Sequence, residues 1–255
     1  MEQATLYVIP GSHACRSAML MLDHKAVPFE VKELPTGLHP LLVRSKGFPG
    51  HRKPIRQVDG RTHRMLALLD RGGTVPALRL GEERIQTNHD IARFLDRLQS
   101  EPPLLPADPE RRAAVEEAER WGDETLQMGA RRIVLAASAH GLDAFRDRAN
   151  RGRLGPLLSA NEAPRNMSSR GARVTFRVSR GKEAELLATL PPMLDRIDGW
   201  IETGMLNGEE LNVADFMIVP SLALLSYRID LRPVIAGRAA GGLLERVLPE
   251  PFPDG

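Results

Sequence analysis

The chain has little of several features that mark specialised classes of protein. Among its 255 residues there is one cysteine, Cys15, and aromatic residues make up only 4%. A single cysteine excludes an intramolecular disulfide, so we expect a reducing, cytoplasmic location. We find no basic N-terminal segment followed by an apolar stretch, and therefore expect no secretory signal.

An excess of one charge and long hydrophobic runs are also missing. The 35 Lys and Arg residues nearly balance 33 Asp and Glu residues, which argues against a nucleic-acid partner. The longest apolar run, residues 216–225, has about ten residues and contains Pro220, whereas a membrane span needs about twenty. No cluster of histidines and carboxylates has metal-ligand spacing, so we expect no metal and no membrane partner.

What is present indicates a globular protein of two domains. The hydrophobic content is 42% and the charged content 27%, both ordinary for such proteins. Strand patterns occur before a proline-rich stretch, and helical patterns follow it. We predict a first domain at residues 1–100, a linker at 101–109 and an all-helical domain at 110–255.

The first domain begins with a predicted strand–helix–strand unit. Residues 5–9 are mostly β-branched or aromatic, the apolar spacing from Cys15 to Ala26 predicts a helix, and residues 29–34 alternate between apolar and charged. Such a unit favours parallel strands with a right-handed crossover.

The remainder of this domain is less regular. Residues 35–61 are rich in proline, glycine and basic side chains, which predicts an inserted loop. We then predict a helix at 62–71, a strand at 75–80, a hairpin through Gly81 and a helix with Asn88 as its N-cap.

The second domain is predicted from helical periodicity. Helices are expected at residues 110–142, along an apolar stripe at 186–201, and at 213–226, where Asn212 and Asp215 have the spacing of a capping box. Residues 150–180 carry no assignable pattern.

Four segments, in this order, resemble the soluble glutathione S-transferase family: residues 6–12 (Leu-Tyr-Val-Ile-Pro-Gly-Ser), 74–78 (Thr-Val-Pro-Ala-Leu), 85–95 and 212–215. The resemblance covers both halves of the chain. It implies an α/β, thioredoxin-like N-terminal domain, an all-α glutathione-transferase-type C-terminal domain, a homodimer, and glutathione as co-substrate.

Ser12 is the candidate catalytic residue. A residue just ahead of a helix lies beside unpaired N–H groups and the positive end of the helix dipole, which together stabilise a thiolate. The resemblance implies that the Ser12 hydroxyl activates glutathione. The alternative is an N-cap, and the two roles are compatible.

Val75 and Pro76 are candidate binding residues. A peptide bond before proline reaches the cis form at a cost of about 0.5–1 kcal/mol. The resemblance implies this geometry, with the Val75 backbone pairing with the glutathione peptide as an added strand does. The alternative is an ordinary edge-strand proline.

The two ends of glutathione have separate candidates. By resemblance, Thr87 and Asn88 hold the γ-glutamyl end, although the acidic residue usual there is missing. Asp90 or a second subunit would then supply the partner of the ammonium group. Lys53, or His51, is the candidate for the glycyl carboxylate.

Other residues near these segments have competing interpretations. Cys15 shares the apolar stripe of its helix, so we expect it in the core, where cysteine behaves as a small hydrophobe. Its alternative is a redox role. Tyr7 is expected to pack, and Arg131 and Arg132 lie either at the surface or against an acidic acceptor.

The sequence therefore predicts a glutathione S-transferase-like enzyme that conjugates glutathione, or a similar small thiol, to an electrophilic small molecule. Two alternatives stay open: a glutathione-dependent thiol-disulfide oxidoreductase acting through Cys15, and a non-enzymatic binding protein that reuses the fold.

Overall fold

A four-stranded sheet organises the first of the two units into which the chain divides, Met1–Leu105 and Pro106–Gly255. The computed structural model describes residues 3–50, 57–58, 61–62, 64, 73–138 and 170–248. The elements of the first unit are β1 (Ala4–Val8), α1 (His13–His24), β2 (Phe29–Glu33), α2 (His39–Ser45), β3 (Gln57–Val58), β4 (Arg61–Thr62), β5 (Ala77–Leu80), β6 (Glu83–Gln86) and α3 (Asn88–Leu98).

The strand order of the sheet is β2-β1-β5-β6. β1 and β2 are parallel, which confirms the predicted strand–helix–strand unit. β5 lies antiparallel to both β1 and β6. β3 and β4 form a separate antiparallel pair. The expected hairpin through Gly81 is confirmed.

The prediction that residues 35–61 form a loop is wrong in part, because α2 and two short strands lie within the segment. Pro40 occupies the first turn of α2, where its missing N–H costs nothing. Pro40 and Val43 are buried, and three-residue spacing places them on one face. Proline was therefore a helix-start signal here. Of the predicted helix at 62–71, the structure describes only Thr62 and Arg64; Thr62 lies in β4, so the prediction is wrong at that residue.

An ion pair in the first unit joins the fully buried Lys25 to Asp96. The fully buried Lys25 ammonium lies 2.6 Å from Asp96 Oδ1 and donates to the Gln99 carbonyl at 2.7 Å. The Asp96 carboxylate also accepts from the backbone N–H groups of Leu104 and Leu105, at 2.9 and 3.0 Å. The end of α1, the end of α3 and the chain leaving the unit are thus joined by one network.

The second unit is helical in its described part, as predicted. Its elements are α4 (Pro109–Trp121), a π-helical turn (Gly122–Leu126), α5 (Gln127–Ala137), a 3₁₀ turn (Arg180–Lys182), α6 (Glu183–Ala188), α7 (Leu190–Glu202), α8 (Val213–Ser226), α9 (Arg232–Ala236) and α10 (Ala239–Val247). The apolar stripe at 186–201 is divided at Thr189 between α6 and α7.

α8 has the predicted bounds, and every one of its residues is buried. Its first turn carries the expected capping box. The Asn212 side chain accepts from Ala214 N at 2.9 Å, and Asp215 accepts from Asn212 N at 2.9 Å. Asp215 also accepts from Asn207 N at 2.8 Å, so its carboxylate is held by two backbone donors.

Candidate functional site

The sheet register brings three of the predicted site segments to one end of the first unit. β1 runs toward Ser12, and Tyr7 near its end pairs with Ala77 at the start of β5. Ala77 in turn pairs with Gln86, the last residue of β6. The segments that follow β1, precede β5 and follow β6 therefore emerge side by side.

Ser12 begins α1. Gly11 precedes it with a φ of +71°, a conformation that glycine adopts without strain and that turns the chain into the helix. Ser12 is half-buried, and its Oγ accepts a hydrogen bond from Cys15 N at 3.3 Å, so it is the N-cap. A hydroxyl that accepts one bond keeps its own proton for donation, so Ser12 can serve a thiolate as well.

Cys15 is 2% exposed and lies on the buried face of α1 with Ala18 and Leu22. This burial confirms the core interpretation. A thiol that exchanges with disulfides must be reached by its partner, and burial among apolar groups disfavours the thiolate.

The segment before β5 has the geometry expected from the sequence pattern. The Val75–Pro76 peptide bond is cis. The Val75 carbonyl accepts from Thr74 Oγ1 at 3.5 Å, and β5 begins only at Ala77. Among the described residues, no backbone group pairs with the Val75 N–H.

Gly73 brings this segment against α2. Its φ is +141°, and a Cβ at this position would lie 2.9 Å from the Pro40 carbonyl oxygen and 3.3 Å from Val43 Cγ1. Only glycine fits such a close approach without moving the backbone of α2.

Gln86 joins two of the converging segments and was not among the residues predicted from sequence. It is 6% exposed; its Oε1 accepts from Gly50 N at 2.8 Å, and its Nε2 donates to the Thr74 carbonyl at 3.0 Å. These partners lie 36 and 12 residues away in the chain, so no local pattern could have revealed them.

Thr87, not Asn88, is the N-cap of α3, which corrects the prediction by one residue. Thr87 has a φ of +70°, and its Oγ1 accepts from Asp90 N and donates to Asp90 Oδ2, both at 3.1 Å. Positive φ is rare for a β-branched residue and marks a conformation that its surroundings impose. The exposed Asp90 carboxylate is therefore tied to the first turn of α3.

Asn88 is turned inward. It is 4% exposed, and its Nδ2 donates to the Ala14 carbonyl in the first turn of α1 at 2.9 Å. Its Oδ1 is buried and has no hydrogen-bond partner in the described part of the chain. Asn88 thus links the starts of α1 and α3 through its amide.

Tyr7 packs as expected. Its ring meets Phe48 edge to face, with centroids 5.8 Å apart, and the Lys46 ammonium lies 5.2 Å from the centre of the Tyr7 ring. Lys53, the candidate for the glycyl carboxylate, lies outside the described residues, as does His51.

In the second unit, Arg131 lies on α5 with its guanidinium 4.9 Å from the centre of the Phe176 ring. Arg132, one residue on, is buried. The surface interpretation is therefore wrong for Arg132, because that side of α5 packs into the unit.

In the described ranges, no group of three or more His, Cys, Asp or Glu side chains has metal-binding geometry. Among the helices there, none combines the length and the hydrophobicity needed to cross a bilayer.

Residues 6–103 match a family model described as "Glutathione S-transferase, N-terminal domain". This match begins within β1 and runs past the end of α3, and it includes Ser12, Val75–Pro76, Thr87 and Asn88. No sequence among curated proteins matches the chain.

Solved structures of similar fold cover nearly the whole chain. A GST-like protein from Pseudomonas syringae is 18% identical, with a TM-score of 0.58, and the match covers 98% of this chain and 68% of that one. A glutathione S-transferase from Methylobacterium radiotolerans in complex with glutathione sulfonate is 18% identical, with a TM-score of 0.52 and coverages of 98% and 92%. One from Methylobacillus flagellatus with glutathione bound is 16% identical, with a TM-score of 0.55 and coverages of 97% and 95%.

At these identities the likeness shows the fold. It confirms the predicted fold class, a thioredoxin-like domain followed by a helical domain of the glutathione-transferase type. The homodimer and the cytoplasmic location stay predictions.

Proposed function

Because residues 6–103 match the N-terminal-domain model of the glutathione S-transferase family and the chain resembles solved structures of that fold, we propose that this protein is a glutathione-dependent transferase. It binds glutathione at the converging segments of its first unit and directs the thiolate at an electrophilic small molecule. The observation that carries the proposal is the sheet register that places Ser12, Val75 and Thr87 at one end of the sheet.

Ser12 acts on the sulfur. The first turn of α1 presents backbone N–H groups and the positive end of the helix dipole, and both favour the thiolate over the thiol. The Ser12 hydroxyl donates its proton to that thiolate as a hydrogen bond. The thiol proton leaves to solvent, and a sulfur electron pair forms the new bond to the electrophilic carbon.

Val75 reads the peptide. Its backbone N–H has no backbone partner among the described residues, and a peptide backbone that pairs there adds a short strand beyond the start of β5. Recognition of this kind depends on the peptide backbone of the thiol, so it selects a small peptide thiol over a simple alkyl thiol.

Asp90 supplies the carboxylate that is missing from the candidate residues for the γ-glutamyl end. Thr87 and Asn88 carry no charge, whereas the Asp90 carboxylate is exposed and held to the Thr87 hydroxyl at 3.1 Å. Asp90 is the acidic residue in the first turn of α3, and we assign it to the γ-glutamyl ammonium.

The engaged side chains of Thr87 and Asn88 favour one other candidate, a binding protein of this fold that does not use glutathione. In that case the Asn88–Ala14 and Thr87–Asp90 contacts serve folding alone. Titration calorimetry with glutathione separates the two functions, since only a transferase requires binding.

The Ser12 role is tested by Ser12→Ala with Ser17→Ala as its matched control. Ser17 lies on the same helix, is buried, and donates weakly to the His13 carbonyl at 3.5 Å. With glutathione and a chloronitroarene, we expect Ser12→Ala to lower kcat/KM at least tenfold, about 1.4 kcal/mol of transition-state stabilisation. Ser17→Ala is expected to stay within twofold.

The pH dependence of the rate identifies the cause. If Ser12 stabilises the thiolate, the apparent pKa of the bound thiol in the pH–rate profile rises in Ser12→Ala and not in Ser17→Ala. Equal rates and equal profiles in Ser12→Ala and the wild type would contradict the role of Ser12, and a wild type that fails to bind millimolar glutathione would contradict the proposed function.

A further inference from the structure

Gln86 ties together two segments that the sheet itself does not hold. Gly50 follows the α2 region and Thr74 precedes the Val75–Pro76 bond, and neither lies in a strand. The Gln86 amide bonds to both, with the Gly50 N–H at 2.8 Å and the Thr74 carbonyl at 3.0 Å.

We propose that Gln86 is a positioning residue of the thiol site, which fixes Gly50 and Thr74 so that the Val75 backbone and Thr87 face the peptide ligand. It acts through these neighbours and touches no reacting atom. The assignment rests on the proposed function, because the ligand that the segments receive is the one proposed above.

The chemistry of the side chain accounts for its identity. A primary amide donates from nitrogen and accepts at oxygen at the same time, and Gln86 uses one bond of each kind. An ionised glutamate of the same length accepts from Gly50 N but has no proton for the Thr74 carbonyl. A leucine serves neither partner, so the bonds to the Gly50 N–H and the Thr74 carbonyl are both lost, which is costly.

The position of Gln86 in the sheet explains why its effect reaches the ligand. Gln86 pairs with Ala77, the first residue of β5, and is followed directly by Thr87 with its φ of +70°. On the other side of Thr74, Gly73 approaches the Pro40 carbonyl in α2 too closely for a Cβ. Because Gly73 has no room to move toward α2, a displacement of Thr74 is transmitted to Val75.

The test compares Gln86→Leu with a control of equal burial in the same sheet, Thr5→Val. Thr5 is 3% exposed and also makes two side-chain hydrogen bonds, to Glu30 at 3.0 Å and from Arg79 at 3.3 Å. Its partners lie on the strands, away from the proposed ligand contacts. We measure the melting temperature and the Kd of S-methylglutathione, which has no free thiol.

Both variants are expected to lower the melting temperature, but only Gln86→Leu is expected to weaken S-methylglutathione binding, by at least tenfold. Hydrogen exchange supplies a second measurement that needs no ligand. Peptides covering residues 48–50 and 73–76 should exchange faster in Gln86→Leu and not in Thr5→Val.

Gln86→Glu gives a signature that a merely structural role would not produce. Protonation of the glutamate restores the donor for the Thr74 carbonyl while the other oxygen still accepts from Gly50 N. Relative to the wild type at the same pH, S-methylglutathione affinity should therefore be at least tenfold lower at pH 8 and recover at least threefold by pH 5.

Unchanged S-methylglutathione affinity in Gln86→Leu, or a loss of affinity in Thr5→Val as large as in Gln86→Leu, would overturn the inference. So would unchanged exchange at residues 48–50 and 73–76. A wild type that does not bind S-methylglutathione would overturn the proposed function instead, and the exchange data would still decide whether Gln86 ties the two segments.

Discussion

The polar caps of α1 and α8 differ in how completely their hydrogen-bonding capacity is used. At the start of α1, Ser12 is half-buried and makes one 3.3 Å bond to the helix. At the start of α8, Asn212 and Asp215 are buried and satisfy three backbone donors between them. The cap of α8 has no capacity left for a ligand, whereas Ser12 keeps its proton and its access to solvent.

A polar residue ahead of a helix therefore indicates function only when its hydrogen-bonding capacity is not already used. The Thr87–Asp90 pair at the start of α3 is intermediate, because its hydroxyl is engaged but its carboxylate is exposed. Stability measurements at these three helix starts test this rule.

The largest effect is expected for Asp215→Ala. The change leaves the N–H groups of Asn207 and Asn212 without their acceptor, and each buried N–H costs about 1–3 kcal/mol, so unfolding should become easier by about 4 kcal/mol. Chemical denaturation measures this. A cost below about 1 kcal/mol would contradict the view that the Asp215 carboxylate is needed by both backbone donors.

The next effect is the pH dependence that Asp215 confers. Burial raises the pKa of Asp215 from 3.8 to about 6. Between these values the folded state holds a proton that the unfolded state has lost. Stability from this group is therefore greatest below about pH 4, falls as the pH rises to about 6, and is constant above; the fall is at most about 3 kcal/mol.

Asp215→Asn is the control for that prediction, since it cannot titrate. The difference in free energy of unfolding between the wild type and Asp215→Asn should decrease from pH 4 to pH 6 and then level off. A difference that increases over this interval would mean that the two backbone donors outweigh burial and that the pKa is lowered.

A smaller effect separates the two caps directly. Asn212→Ala removes the bond to Ala214 N and also the 2.9 Å bond from Asn212 Nδ2 to the Met205 carbonyl, so we expect a loss of about 2 kcal/mol. Ser12→Ala removes one long, half-exposed bond and should cost about 0.5 kcal/mol. Equal costs in thermal unfolding would erase the distinction between a structural and a functional cap.

The smallest effect is expected for Asp90→Asn. Its carboxylate is exposed, so the stability change should stay within about 0.5 kcal/mol. If Asp90 receives the γ-glutamyl ammonium, affinity for glutathione should fall about threefold to tenfold, about 0.7–1.4 kcal/mol, while affinity for an analogue lacking the amino group should not change. An equal loss for both ligands would assign Asp90 to capping only.

Much of the architecture followed from local signals. Asn212 and Asp215 predict the start of α8, and the alternation at residues 29–34 together with the apolar face of α1 predicts the parallel unit. These features depend on neighbours a few residues apart, which is the range that a sequence pattern covers.

The candidate site was predicted only in part, because its details depend on distant partners. Thr87 and Asn88 are both good caps by type, and the bond from Asn88 to Ala14, 74 residues away, is part of what turns Asn88 inward and leaves the cap to Thr87. Gln86 gave no signal, since glutamine at a strand end is ordinary until Gly50 and Thr74 are seen beside it. The sequence pattern does not predict α2, because a proline such as Pro40 is as typical of a loop as of the first turn of a helix.

The Lys25–Asp96 network determines where the first unit ends for the purpose of exchanging it between related proteins. The Asp96 carboxylate accepts hydrogen bonds from the N–H groups of Leu104 and Leu105, so the segment after α3 is part of the first unit. A crossover at residue 100 would replace those donors by a foreign sequence, and a proline at position 104 or 105 would remove one of the two N–H donors to the Asp96 carboxylate. A crossover after Leu105 transfers the thioredoxin-like module intact, so exchange of the helical module in evolution or engineering should succeed at that boundary.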